Sequence, residues 1–179
     1  MNRAFSLYAL FLILFLIFQH VQSANNIVHD TCKKIKAGDT DLNFDYCVKS
    51  LESNPESHKA DLKGLGLIGL ELLQGNLTSI VEYIEELLKQ KWEPRLRDAL
   101  SLCLDVYSTN EGQDQIPAYK AKLYDDVGSW ASSVMTDEDT CDTQESQNEG
   151  MVPPLTKRNN EIVQLSTIVL GVLAILQGE

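Results

Sequence analysis

Histidine is scarce in this chain. Three occur among 179 residues; His20 lies in an N-terminal apolar segment, leaving His29 and His58. Neither stands in HExxH, no serine stands in GxSxG, and there is no glycine-rich phosphate loop. These absences argue against catalysis, and no cofactor is expected. The four cysteines are separated by 14, 55 and 37 residues, with no CxxC and no histidine pair nearby, so a zinc site is not expected either. Cations are also in short supply: 15 Lys and Arg stand against 26 Asp and Glu, giving a net charge of −11. Such a chain repels phosphate backbones, which argues against nucleic-acid partners. Strand-like alternation and internal repeats are missing throughout.

Against this background the N-terminus is distinctive. Asn2 and Arg3 precede a 12-residue apolar run, Leu7 to Phe18, followed by Val21-Gln22-Ser23. A basic start, a short apolar centre and a small-residue cut site describe a secretory signal peptide over residues 1–23. As a helix the run reaches about 18 Å, too short for a hydrocarbon core of about 30 Å. Its removal takes Arg3 and leaves residues 24–179 with a charge of about −12. This mature chain has the length of one domain and no membrane partner is expected for it. Its acidity suits solubility, and an acidic extracellular space would neutralise part of it. Cys32, Cys47, Cys103 and Cys141 make an even set in a secreted chain and imply two disulfides. Three pairings are open; neighbour pairing closes the shortest loops, each bridge stabilising by about 3–4 kcal/mol on the chain-entropy model.

The mature chain reads as all-helical. Residues 24–53 are polar and interrupted by Gly38-Asp39-Thr40, which suggests short helical turns in a hairpin arm. Asn54-Pro55 reads as the start of a long helix, a cap residue followed by proline. Its apolar stripe is Leu62, Leu65, Gly69, Leu72, Leu73, Leu77, Ile80, Ile84 and Leu87. Pro94 opens a second helix with Leu96, Leu100, Cys103 and Tyr107 on one face. Gly112 and Pro117 predict a kink or break between about 109 and 117. A third, shorter helix carries Val127, Trp130, Ala131, Val134 and Met135 and leads into Cys141, with residues 142–154 as a loop. The last helix, Thr156 to Leu176, is apolar on nearly every side from Ile162 onward, as befits the most buried member of a bundle. A lipid-anchor tail is the alternative, but the final apolar run, Ile168 to Leu176, is only nine residues. Short connections imply an up-down four-helix bundle over 54–179. Asn76-Leu77-Thr78 is the one N-glycosylation sequon of the mature chain.

The pieces resemble a known family. Thr31-Cys32-Lys33-Lys34, Phe44-Asp45-Tyr46-Cys47-Val48-Lys49-Ser50-Leu51, Asp61-Leu62-Lys63-Gly64-Leu65-Gly66, Thr156-Lys157 and Val163-Gln164-Leu165 are similar to segments of the plant invertase and pectin methylesterase inhibitor family. The likeness is greatest to pollen proteins described as invertase inhibitors and covers nearly the whole mature chain. It implies a disulfide-pinned helical hairpin followed by a four-helix bundle, with bridges Cys32–Cys47 and Cys103–Cys141. It implies an inhibitor of acid invertase or, alternatively, of pectin methylesterase, located in the apoplast, cell wall or vacuole. A non-inhibitory secreted helical carrier is the reading from another class. Invertase inhibitors of the family carry Pro-Lys-Phe between the second and third bundle helices. Here the segment reads Lys120-Ala121-Lys122-Leu123-Tyr124-Asp125-Asp126. The proline is missing and the order differs, but Lys122, Leu123 and Tyr124 are the candidate target contacts. A lysine facing paired glycosidase acids would make physical sense; the plainer readings are a solvated charge for Lys122 and core packing for Tyr124.

Overall fold

The computed structural model describes residues 27–146 and 153–178. The expected signal peptide at 1–23 lies outside them. All regular structure in the described residues is helical.

Two helices form the arm: α1 over 27–38 and α2 over Phe44–Glu52. They are regular helices rather than the short turns expected. Gly38 closes α1, and Asn43 caps α2 by accepting the Tyr46 N–H at 3.0 Å. Cys32 and Cys47 are bonded across the hairpin, both fully buried. Asn54-Pro55 does not open the long helix. It opens a 3₁₀ turn, Pro55–Lys59, after which Ala60 is extended. Asp61 then caps a fresh start by accepting the Gly64 N–H at 2.8 Å, and its β-region backbone sets the helix entry.

The bundle consists of α3 (Leu62–Leu88), α4 (Pro94–Glu111), α6 (Tyr124–Ser146) and α7 (Thr156–Gln177), with a short α5 (Ile116–Lys120) between α4 and α6. Helix α3 packs on α4 and α7, and α6 packs on the same two, so the four close into a ring. Cross-links show the antiparallel sense. Gln74 on α3 reaches Gln113 and Asp114, Thr78 reaches Glu111, and Arg158 on α7 reaches Ser79. The expected break is present: α4 stops at Glu111 and α5 begins at Ile116, packed on α3 and α6. Helix α6 is longer than expected, carrying Cys141 within it and continuing through residues read as loop. With 141 held in helix, the Cys103–Cys141 bridge joins α4 to α6 in mid-element.

The stripes sit where periodicity places them. Leu65, Leu73, Leu77, Ile80, Ile84 and Leu87 of α3 are buried, as are Leu96, Leu100, Cys103 and Tyr107 of α4. Helices α3 and α7 are long and apolar enough to cross a membrane by composition alone, and in this fold they pack against each other. The arm lies across them. Gly171 admits Ile35 of α1 so closely that a Cβ there would stand 2.4 Å from Ile35 Cγ2. Gln164, buried on α7, accepts the Asn43 N–H at 2.6 Å and donates to Asp41 O at 3.2 Å, fixing the α1–α2 turn.

Candidate functional site

The segment holding Lys122, Leu123 and Tyr124 is a corner built by the ending of α5. Five residues cannot sustain a helix alone, so α5 depends on its surroundings. Asp114 accepts the Ile116 N–H at 3.0 Å, and Pro117 supplies a preset φ in the first turn. At the other end the Leu123 N–H donates to Ala118 O at 3.0 Å and the Lys122 N–H to Tyr119 O at 2.9 Å. These paired bonds are a Schellman termination, with Ala121 as C-cap and Lys122 as the left-handed residue after it. Glycine normally takes that position. Here Lys122 has φ 63°, alone among the described non-glycine residues in having a positive φ. A Cβ there costs about 1–2 kcal/mol.

The consequence is exposure. Lys122 faces solvent, and Leu123 is 52% exposed, the one large hydrophobic side chain so placed among the described residues. In a Schellman ending that apolar residue often folds back on the helix; here it projects. Tyr124 does not join it. Its ring is half-buried and lies 5.4 Å from that of Tyr119. The structure thus brings Lys122 and Leu123 together at the surface and places Tyr124 beneath them.

Helix α6 begins directly after the corner. Asp125 and Asp126 occupy its first turn, where carboxylates complement the helix dipole. Gln177 near the end of α7 donates to Asp125 Oδ1 at 2.7 Å. The corner therefore stands at the end of the bundle where α3 and α6 start and α7 finishes.

A second polar region lies farther along α4 and α6. Asn110 receives the Ser133 hydroxyl at 3.0 Å and donates to Asp137, while Trp130 Nε1 donates to Asn110 O at 3.3 Å. Tyr107 donates to Asn159 at 3.0 Å beside the Cys103–Cys141 bridge. Burial pushes the Tyr107 phenol up, helped by Glu138, Glu145, Asp137 and Asp142. The Glu138 carboxyl is pushed up to about 7 by burial, with Asp142 and Asp139 adding to it. Glu145 also rises to about 7, chiefly through burial, although the Leu155 N–H opposes the shift. Glu138 is half-buried, and Glu145 is fully buried in the part of α6 that continues past the expected helix end. No cluster of metal ligands is present among the described residues.

Asn76 lies within α3, half-buried, and its Nδ2 donates to Leu72 O at 2.8 Å. The atom that would carry a glycan is engaged by the helix backbone.

A hairpin arm and a bundle, each closed by its own disulfide, with a strained, projecting corner between the second and third long helices, define a class of small disulfide-closed helical bundles. The comparisons narrow the class. Residues 26–172 match the family described as plant invertase/pectin methylesterase inhibitor, and the chain belongs to that family. A Platanus acerifolia protein described as "Putative invertase inhibitor" is 37% identical over 98% of this chain and 99% of its own length. An Actinidia deliciosa pectinesterase inhibitor is 25% identical over 88% of this chain and 83% of its own. A crystal structure of a mutant pectin methylesterase inhibitor from Arabidopsis superposes with a TM-score of 0.69 at 19% identity, covering 80% of this chain and 93% of that one, a likeness of fold.

Proposed function

We propose that this protein is a secreted inhibitor of acid invertase, and that the α5–α6 corner enters the enzyme's sucrose-hydrolysing cleft. The observation that carries the reading is the pair at the corner: a lysine held left-handed beside a leucine 52% exposed. Glycoside hydrolases commonly work with two carboxyl groups flanking the scissile bond. The Lys122 ammonium suits such a site, and Leu123 supplies apolar area beside it. The Schellman bonds already hold both residues in place, so less ordering entropy is lost on binding. The near full-length relative described as an invertase inhibitor supports the choice of target. Pectin methylesterase is the alternative target, supported by the Actinidia relative. Secretion to the cell wall or delivery to the vacuole would bring the protein to either enzyme.

The test is to titrate the oxidised mature protein into purified acid invertase and, separately, into pectin methylesterase near pH 5. Inhibition of invertase that is lost with Lys122→Glu is the expected result. Inhibition of pectin methylesterase alone would move the assignment to the alternative, and inhibition of neither would overturn both.

A further inference from the structure

We propose that Tyr119 is a positioning residue for the corner, locked by a hole that Gly66 leaves in α3. This rests on the reading of the corner as the contact with the target enzyme. Tyr119 is the one buried residue of α5. Its hydroxyl crosses to α3 and donates to Lys63 O at 2.9 Å. A helix carbonyl has a second lone pair available for such a bond. The ring can reach that carbonyl only because residue 66 has no side chain. A Cβ at Gly66 would stand 2.1 Å from Tyr119 Oη, 2.9 Å from Cζ and 2.8 Å from Val172 Cγ1. Val172 is itself fully buried, so neither neighbour has room to yield without moving its helix.

The connection to the corner is short. The Tyr119 carbonyl accepts the Lys122 N–H, and the Tyr119 ring supports the Tyr124 ring. Lifting Tyr119 out of the hole therefore moves both flanks of Lys122-Leu123. Glycine in a helix interior is less favourable than alanine, so Gly66→Ala would stabilise α3 if the site were open. Gly75 provides the comparison. It lies in the same helix, and a Cβ added to it would meet no atom within 4 Å.

Two readouts test the proposal. Amide hydrogen exchange reports the corner itself, through the Lys122 and Leu123 N–H groups. Gly66→Ala is expected to speed exchange at both by about tenfold or more, and Tyr119→Phe by about fivefold, with Gly75→Ala leaving them unchanged. Inhibition constants against acid invertase should weaken in the same order, with Gly75→Ala at the parent value. Unchanged exchange in both Gly66→Ala and Tyr119→Phe would overturn the proposal, whatever the enzyme assay gives. Faster exchange with unchanged inhibition, in a protein whose Lys122→Glu form does lose inhibition, would overturn it as well. If Lys122→Glu itself inhibits normally, the corner is not the contact; that failure belongs to the functional reading, and the exchange data alone then decide whether Tyr119 locks the corner.

Discussion

Replacing Lys122 by glycine separates the strain at the corner from its charge. Lys122 holds φ 63°, a conformation that costs a residue with a Cβ about 1–2 kcal/mol. Glycine removes that cost but adds about 0.4–1 kcal/mol of unfolded-chain freedom. The net expectation is a protein about 0.5–1 kcal/mol more stable, which raises Tm by about 1–4 °C at this chain length. Lys122→Ala removes the same charge while keeping the Cβ, so it should show no such gain. Both variants lose the cation that the proposed reading sets against the target, and on that reading both should inhibit acid invertase about tenfold less well or worse. The measurements are differential scanning calorimetry at pH 5 and inhibition constants for the three proteins under the same conditions. If the glycine and alanine variants melt together, the corner stores no backbone strain and the argument from its left-handed lysine fails. If glycine is more stable and inhibits as well as lysine, strain is present without a functional return.

Other expectations follow from the same geometry. Glu138 and Glu145 hold protons more tightly folded than unfolded, so their contribution to stability is complete below about pH 4.5 and is lost as pH rises through about 7. Tm should therefore be higher at pH 5 than at pH 7.5, and replacing both by glutamine should flatten the difference; a Tm that rises toward neutral pH would contradict it. Gln164→Leu removes both bonds to the α1–α2 turn and should cost about 1–3 kcal/mol, with faster proteolysis near residues 39–43 as the diagnostic. Converting Cys103 and Cys141 together to serine should cost about 4 kcal/mol by denaturant unfolding, given their separation of 38 residues. Mass spectrometry of the protein from a secretory host should find Asn76 without a glycan, since its amide is bonded to Leu72 O in mid-helix.

The fold is largely legible in the sequence because its signals are local. The three- and four-residue steps of α3 and α4 need only one helix to be read, and the break around Gly112 and Pro117 follows from their backbone limits. Errors arise where a local signal competes with a neighbouring one. Asn54-Pro55 is a true cap and does start a helical turn, but Asp61 starts the long helix. Polar residues after Cys141 look like loop, yet they continue α6, where Glu145 is buried and its carboxyl accepts the Leu155 N–H. The shape of the corner is not legible. Nothing in Lys122 advertises a left-handed helix end, where glycine is the usual sign. The pairing of Gly66 with Tyr119 joins residues far apart in sequence and leaves no periodic trace. The run of glycines in α3 is the one available hint that another element approaches closely.

Each disulfide joins a cysteine to the next one along the chain. A polypeptide threaded N-terminus first into an oxidising compartment presents Cys32, then Cys47, before Cys103 has emerged. The first thiol to find a partner is then the right one, and the same holds for Cys141 when it meets Cys103. On the proposed secretory route, order of arrival alone favours the native connectivity. Expression systems that oxidise the finished chain all at once lose that ordering, and among such products scrambled bridges are the failure to look for first.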